Sequence, residues 1–167
     1  VRDIVLTHLD FDHAGALATV KRYAPDAEII VSKRGAASIE GYHHSSWPLK
    51  TVGTGDRIPI GRRELAFIEA PMLHWPDSMF TYLTGSNILF SNDAFGQHYC
   101  TAFRFDDLVD ERELFEEALR YYANILTPFS DLVLKKIDEV LSLGLPVDMI
   151  APSHGIIWRG DPLRIVG

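Results

Sequence analysis

Only one cysteine, Cys100, occurs in the 167 residues, so no disulfide can form within the chain. A reducing compartment such as the cytoplasm fits that shortage. Positive charge is scarce too: 16 Lys and Arg stand against 23 Asp and Glu, for a net charge of −7. That balance argues against nucleic acid or an anionic membrane surface as partner. No apolar run approaches the ~18 residues of a membrane span. Repeats, low-complexity tracts and linkers are also missing, so residues 1–167 read as one domain. A hydrophobic content of 47% gives that domain material for a core. There is no initiator methionine: the chain opens at Val1, inside a strand-like run, and reads as a fragment or a processed product.

What the chain has in abundance is concentrated in His8 to Gly15, His-Leu-Asp-Phe-Asp-His-Ala-Gly. His8, Asp10, Asp12 and His13 crowd lone pairs into one short stretch. A metal ion neutralises such a cluster directly. Val1 to Thr7 before it is apolar and β-branched and predicts a buried strand. Ala14 to Tyr23 after it predicts a helix with Ala16, Val20 and Tyr23 on one face. Asp12 is the candidate cap of that helix. The cluster thus sits between a strand and a helix, where α/β proteins usually place chemistry.

Further along, Pro25 stops the helix, Glu28 to Ser32 predicts a strand, and Lys33 to Glu40 a helix ended by Gly41. Tyr42 to Lys50 is a polar loop in which His43 and His44 read as surface residues. Turns and short strands follow in the Gly- and Pro-rich stretch Thr51 to Gly61, then a strand from Glu64 to Glu69. Phe80 to Thr84 and Asn87 to Ser91 predict two strands joined at Gly85-Ser86. Asp110 and Glu113 resemble a capping box ahead of a helix with the stripe Leu114, Phe115, Ala118, Tyr122 and Ile125. Thr127-Pro128 opens a second helix, with Leu132, Val133, Ile137, Val140 and Leu141 inward, and Gly144 closes it. Val147 to Ala151 is the last strand.

His74, Asp93 and His154 taken singly read as ordinary loop and turn residues. In order, each lies just past a predicted strand, as the first cluster does. Neighbouring strand ends converge, so one site can collect His8, Asp10, Asp12, His13, His74, Asp93 and His154. That is too many donors for one ion and suits two metals bridged by a carboxylate. Imidazole and carboxylate without thiolate fit iron, manganese or zinc, and the carboxylate count favours the first two. His98 reads as either a support to the site or plain structure. Cys100 reads as a small core residue. Tyr121 and Tyr122 read as core and edge of a helix, one of them within reach of the site.

His-x-[His/Glu]-x-Asp-His with a following Gly resembles the metal signature of the metallo-β-lactamase superfamily. Its hydrolytic, zinc-binding members have histidine at the third position. Asp10 is a carboxylate there, which is similar to the flavodiiron proteins. His74-Trp75-Pro76-Asp77-Ser78-Met79, Ser91-Asn92-Asp93-Ala94-Phe95-Gly96-Gln97-His98, Tyr121-Tyr122-Ala123-Asn124-Ile125 and Ser153-His154-Gly155-Ile156-Ile157-Trp158-Arg159 resemble the same family. The family carries glutamate where this chain has Asp10, one methylene shorter.

The resemblance implies an α+β fold, the metallo-β-lactamase-like αββα sandwich, lacking its first strands. It implies one iron on His8, Asp10 and His74, a second on Asp12, His13 and His154, and Asp93 as the bridge. Tyr122 and His98 would stand beside the ligands as supporting catalytic residues. The implied activity is reduction of O2 to water or of NO to N2O. Electrons would come from FMN on a flavodoxin-like domain after Gly167 or on a partner subunit, in a head-to-tail homodimer fed by rubredoxin or a reductase. Two other readings compete: a flavin-free di-iron protein that senses or carries O2, and a zinc-dependent thioester or lactone hydrolase, against which Asp10 argues.

Overall fold

Glu28–Ser32 (β2) shows how the layers arise. Its β-branched residues take the extended backbone readily, and alternate side chains leave on opposite faces. Ile29 and Val31 pack with Leu9, Leu17 and Ile39, which belong to the helical side. Ile30 points the other way and packs, with Val52 of its own sheet, against Ile58, Phe67 and Met79 from the second sheet. The computed structural model describes residues 1–166. Two sheets face each other in it. The first holds β1 (Asp3–Val5), β2 and β3 (Leu49–Val52), all parallel. The second is ordered β4 (Arg57–Ile60), β5 (Arg63–Glu69), β6 (Met79–Leu83), β7 (Ile88–Asn92) and β8 (Met149–Pro152).

Helices cover the outer faces. α1 (Phe11–Ala14), α2 (Leu17–Tyr23) and α3 (Lys33–His43) lie against the first sheet. α4 (Glu111–Ile125) and α5 (Ser130–Ser142) lie against the second. There Ile68, Phe80, Tyr82, Leu89 and Ile150 meet Leu114, Ala118 and Trp158. The architecture is the expected αββα sandwich. No helix among the described residues is long and apolar enough to cross a membrane.

The strand directions position the site. β5 and β7 are both antiparallel to β6, and β8 is parallel to β7. The C-terminal ends of β5, β7 and β8 therefore open on one edge. The backbone N–H of Met79 donates to Thr7 O at 2.9 Å, which brings the exit of β1 to the same edge.

Several local expectations change. β1 is only half-buried, because it lies at a sheet edge and pairs with β2 alone. The helix expected over Ala14 to Tyr23 is two helices broken at Gly15-Ala16. Its inward residues are Ala14 and Leu17, while Val20 and Tyr23 are exposed. Asp10, not Asp12, caps the first turn, accepting from Phe11 N at 2.7 Å. Gly41 does not end α3; the helix runs to His43 and closes on His44, which takes the left-handed conformation at φ 48°. The Asp110 cap forms, with Oδ1 accepting from Glu113 N at 2.9 Å, but the Glu113 carboxylate accepts from the Tyr99 hydroxyl instead of reaching back. Leu132 and Leu141 on α5 are exposed, and Cys100 is exposed, not core.

Candidate metal centre

Four segments at strand ends supply the cluster, the first of them running into α1. His8, Asp10, Asp12 and His13 follow β1, His74 follows β5, Asp93 follows β7 and His154 follows β8. The structure brings all seven together in overlapping groups. Donor atoms of His8, Asp10 and His74 lie within 4.8 Å of one another, as do those of Asp12, His13 and His154. His8, His13 and Asp93 form a third such group that joins the other two.

Asp93 is at the centre. Its Oδ2 lies 3.3 Å from His8 Nε2 and 3.1 Å from His74 Nε2. Its Oδ1 lies 3.1 Å from His13 Nε2 and 3.4 Å from His154 Nε2. Each carboxylate oxygen thus faces one pair of imidazoles. Asp12 Oδ2 completes the second pair at 3.2 Å from His154 Nε2 and 3.5 Å from His13 Nε2. Asp10 spends Oδ1 on its cap and keeps the other oxygen.

Both Asp93 oxygens are buried and receive no hydrogen bond, and His8 Nε2 has no partner either. The imidazole nitrogens come close to the carboxylate without donor geometry. Groups arranged this way aim their lone pairs at a shared point. An unmet buried polar atom costs about 1–3 kcal/mol, more when charged. A cation between the groups removes that cost. The donor set of imidazole and carboxylate, with the only cysteine elsewhere, fits two hard to borderline metal ions.

The local electrostatics agree. Burial raises the Asp93 carboxyl, but the neighbouring His13, His154 and His8 more than offset it and hold it well below the usual carboxylate range. Burial pushes the His8 imidazole down, against the pull of Asp93. Contact with Asp93 pushes His154 up.

Of the two supporting residues expected, His98 is at the mouth of the cluster, its ring 5.9 Å from that of His154. Tyr122 is corrected. Its hydroxyl donates to Ser130 Oγ at 3.0 Å, toward α5. Its neighbour Tyr121 is the tyrosine at the cluster, with its ring 4.9 Å from His98 and 6.0 Å from His154. Successive helical residues diverge by about 100°, so one of the pair reaches the site and the other does not. Burial raises the Tyr121 hydroxyl above the ordinary phenol range. His43 and His44 join no donor group among the described residues, and His43 packs against Trp47.

Two site residues escaped the sequence reading. Asn92 contacts His8, and buried Asp77, its Oδ2 without a partner, lies close enough to His8 and Asp10 to feel their charges. Both lie inside segments already singled out, but their partners are distant in sequence.

An αββα sandwich whose strand ends gather imidazoles and carboxylates defines the class: a metallo-β-lactamase-fold protein with a nitrogen- and oxygen-donor cluster. The chain belongs to the family described as ODP family beta lactamase, whose sequence model matches residues 1–155. It is 58% identical over 165 residues to the anaerobic nitric oxide reductase flavorubredoxin of Vibrio vulnificus, covering 98% of this chain and 33% of that protein. It superposes on the rubredoxin oxygen:oxidoreductase of Desulfovibrio gigas with a TM-score of 0.93 and 36% identity, covering 96% of this chain and 40% of that one. The flavodiiron protein from Giardia intestinalis gives a TM-score of 0.90 and 34% identity over 96% and 39% of the two chains. The chain therefore spans well under half the length of these relatives.

Proposed function

We propose that this chain holds a di-iron centre that reduces a diatomic oxidant, NO to N2O in the first place and O2 to water in the second. The observation that carries the reading is Asp93. Its two oxygens face two separate imidazole pairs, and neither oxygen has a hydrogen bond. His8, Asp10 and His74 would hold one iron, Asp12, His13 and His154 the other, and Asp93 would bridge them. When bound, the iron pair supplies paired electron delivery to one small molecule. The chain's own residues do the rest. Asp93 sets the separation of the two halves, the carboxylates balance positive charge, and Tyr121 and His98 line the approach beside His154. NO takes precedence because the flavorubredoxin relative, at 58% identity, is named for its reduction.

Electrons would come from a flavin outside residues 1–167, with a rubredoxin-type donor upstream, in keeping with the relatives' names. A head-to-tail homodimer would present the flavin of one copy to the metals of the other. The lone exposed Cys100 suits a reducing cytoplasm.

The test is anaerobic purification with iron supplied, then elemental analysis and mixing of the chemically reduced protein with NO or O2. We expect two iron ions per chain and gas consumption limited to the two electrons each metal pair holds, with cycling restored by a reduced flavodoxin-like donor. One zinc and no iron, after iron supplementation, would sink the reading. Reversible O2 binding without consumption would replace it with the carrier.

A further inference from the structure

Asn92 touches three of the four segments that build the cluster. Its side chain is buried, and its Oδ1 lies 2.8 Å from His8 Nδ1 and 2.9 Å from the Thr7 hydroxyl, which donates to it. Its main-chain carbonyl accepts from Ser153 N, the residue before His154, at 2.7 Å. Its Cα carries directly into Asp93. The backbone at Asn92 is left-handed, with φ 57°, at a register irregularity between β7 and β8. Asparagine enters that region more readily than most residues with a Cβ. The conformation turns its amide back toward β1.

We propose that Asn92 is the positioning residue that fixes His8 as the Nδ1–H tautomer, keeping His8 Nε2 bare and aimed at the Asp93 carboxylate. This rests on the di-iron reading only for what the bare nitrogen is used for.

The alternatives are unequal. With the proton on Nδ1, the imidazole donates to Asn92 Oδ1 at 2.8 Å and its Nε2 lone pair faces the cluster. With the proton on Nε2, a buried N–H would stand without an acceptor, since Nε2 makes no hydrogen bond even with Asp93 Oδ2 3.3 Å away. Asn92 Nδ2 is itself unpartnered. The amide therefore leaves a donor unmet while its oxygen serves two donors. A neutral imidazole offers one nitrogen as donor and the other as acceptor, so fixing one determines the other. Outer partners of this kind typically contribute 10- to 100-fold to metal affinity, on the order seen across metal sites.

The experiment is a long-range 1H–15N spectrum of histidine-labelled, metal-free chain, followed by iron(II) titration against a competing chelator. Wild type should show His8 as the neutral Nδ1–H form. Asn92→Gly keeps the left-handed backbone and removes the acceptor. It should shift His8 toward the Nε2–H form and weaken one of the two iron sites by about 10- to 100-fold. Asn92→Asp keeps an acceptor and should restore both the tautomer and the affinity. An Nε2–H signal for His8 in wild type overturns the proposal, and so does an unchanged Nδ1–H signal in Asn92→Gly. The wild-type and Asn92→Asp spectra decide the matter even if Asn92→Gly fails to fold. A wild-type chain with the Nδ1–H signal that takes up no iron supports the tautomer assignment and overturns the di-iron reading instead.

Discussion

Asp93 carries a burden no other side chain shares. It is almost wholly buried, yet it stands among four imidazoles with no hydrogen bond to either oxygen. Its removal takes a donor from both halves of the cluster at once. Asp10 serves one half and is already engaged as the α1 cap. Asp93→Ala should therefore lose both metals, by more than the about 10- to 100-fold that loss of an outer partner costs, while Asp10→Ala retains the ion on the His13 side. Metal stoichiometry of the two variants checks this, and retention of both metals by Asp93→Ala would show that the bridge is misassigned. Asp77 makes a second residue-scale prediction. Burial holds its carboxyl above the ordinary range. The native state thus keeps that proton to a higher pH than the unfolded chain does. The linked stability is full below the unfolded value of about 3.9 and is lost as pH rises through the raised native value. In chelated protein, Asp77→Asn should melt higher than wild type at pH 7, with the gap closing as pH falls. A deficit of constant size at every pH would show instead that burial of the Asp77 carboxylate carries no net cost.

At the scale of elements, the turn after β8 sets His154. Gly155 follows at φ 83°, a region that residues with a Cβ rarely enter. A Cβ there would run into the side chain and carbonyl of Gln97. Gln97 is itself fully buried, its Oε1 accepting from Ile156 N at 2.8 Å. Gly155→Ala must therefore strain the backbone and push Gln97 aside, at about 1–3 kcal/mol for each effect. We expect a lower melting temperature and weaker binding of the ion that His154 would hold. An unshifted melt with full metal would mean that this turn relaxes freely. The break between α1 and α2 belongs to the same scale. Asp10 caps the single turn of α1, which carries Asp12 toward His154 and His13 toward Asp93, before the chain breaks at Gly15-Ala16.

Across the whole molecule, one face is poorly covered. α5 has no buried residue, and Leu119, Leu134 and Leu141 are 69%, 61% and 52% exposed. They line a cavity of about 400 Å³ between α4, α5 and the five-stranded sheet. A contiguous apolar patch of this kind favours association. The isolated chain should self-associate as its concentration rises, and Leu134→Glu should reduce this without changing metal content. Sedimentation velocity over a concentration series measures it. A wild-type chain that sediments as a monomer throughout would show that the patch is too small to drive association.

The sequence by itself determined the candidate donors and their placement at strand ends. The αββα layering was legible only through the family resemblance, while β2 and the Asp110 cap were legible in the residues themselves. These are short-range properties: alternation over five residues, a helical stripe, a carboxylate three residues ahead of an N–H. The tertiary structure alone decided which Asp93 oxygen faces which imidazoles, because β7 meets the loops after β1, β5 and β8 only across the fold. It decided for Tyr121 over Tyr122, since one residue of helix rotation is invisible without the helix's packing partner. It placed Asn92 against His8, and it left Leu132 and Leu141 in the open, because a helical stripe names the apolar face but not what covers it.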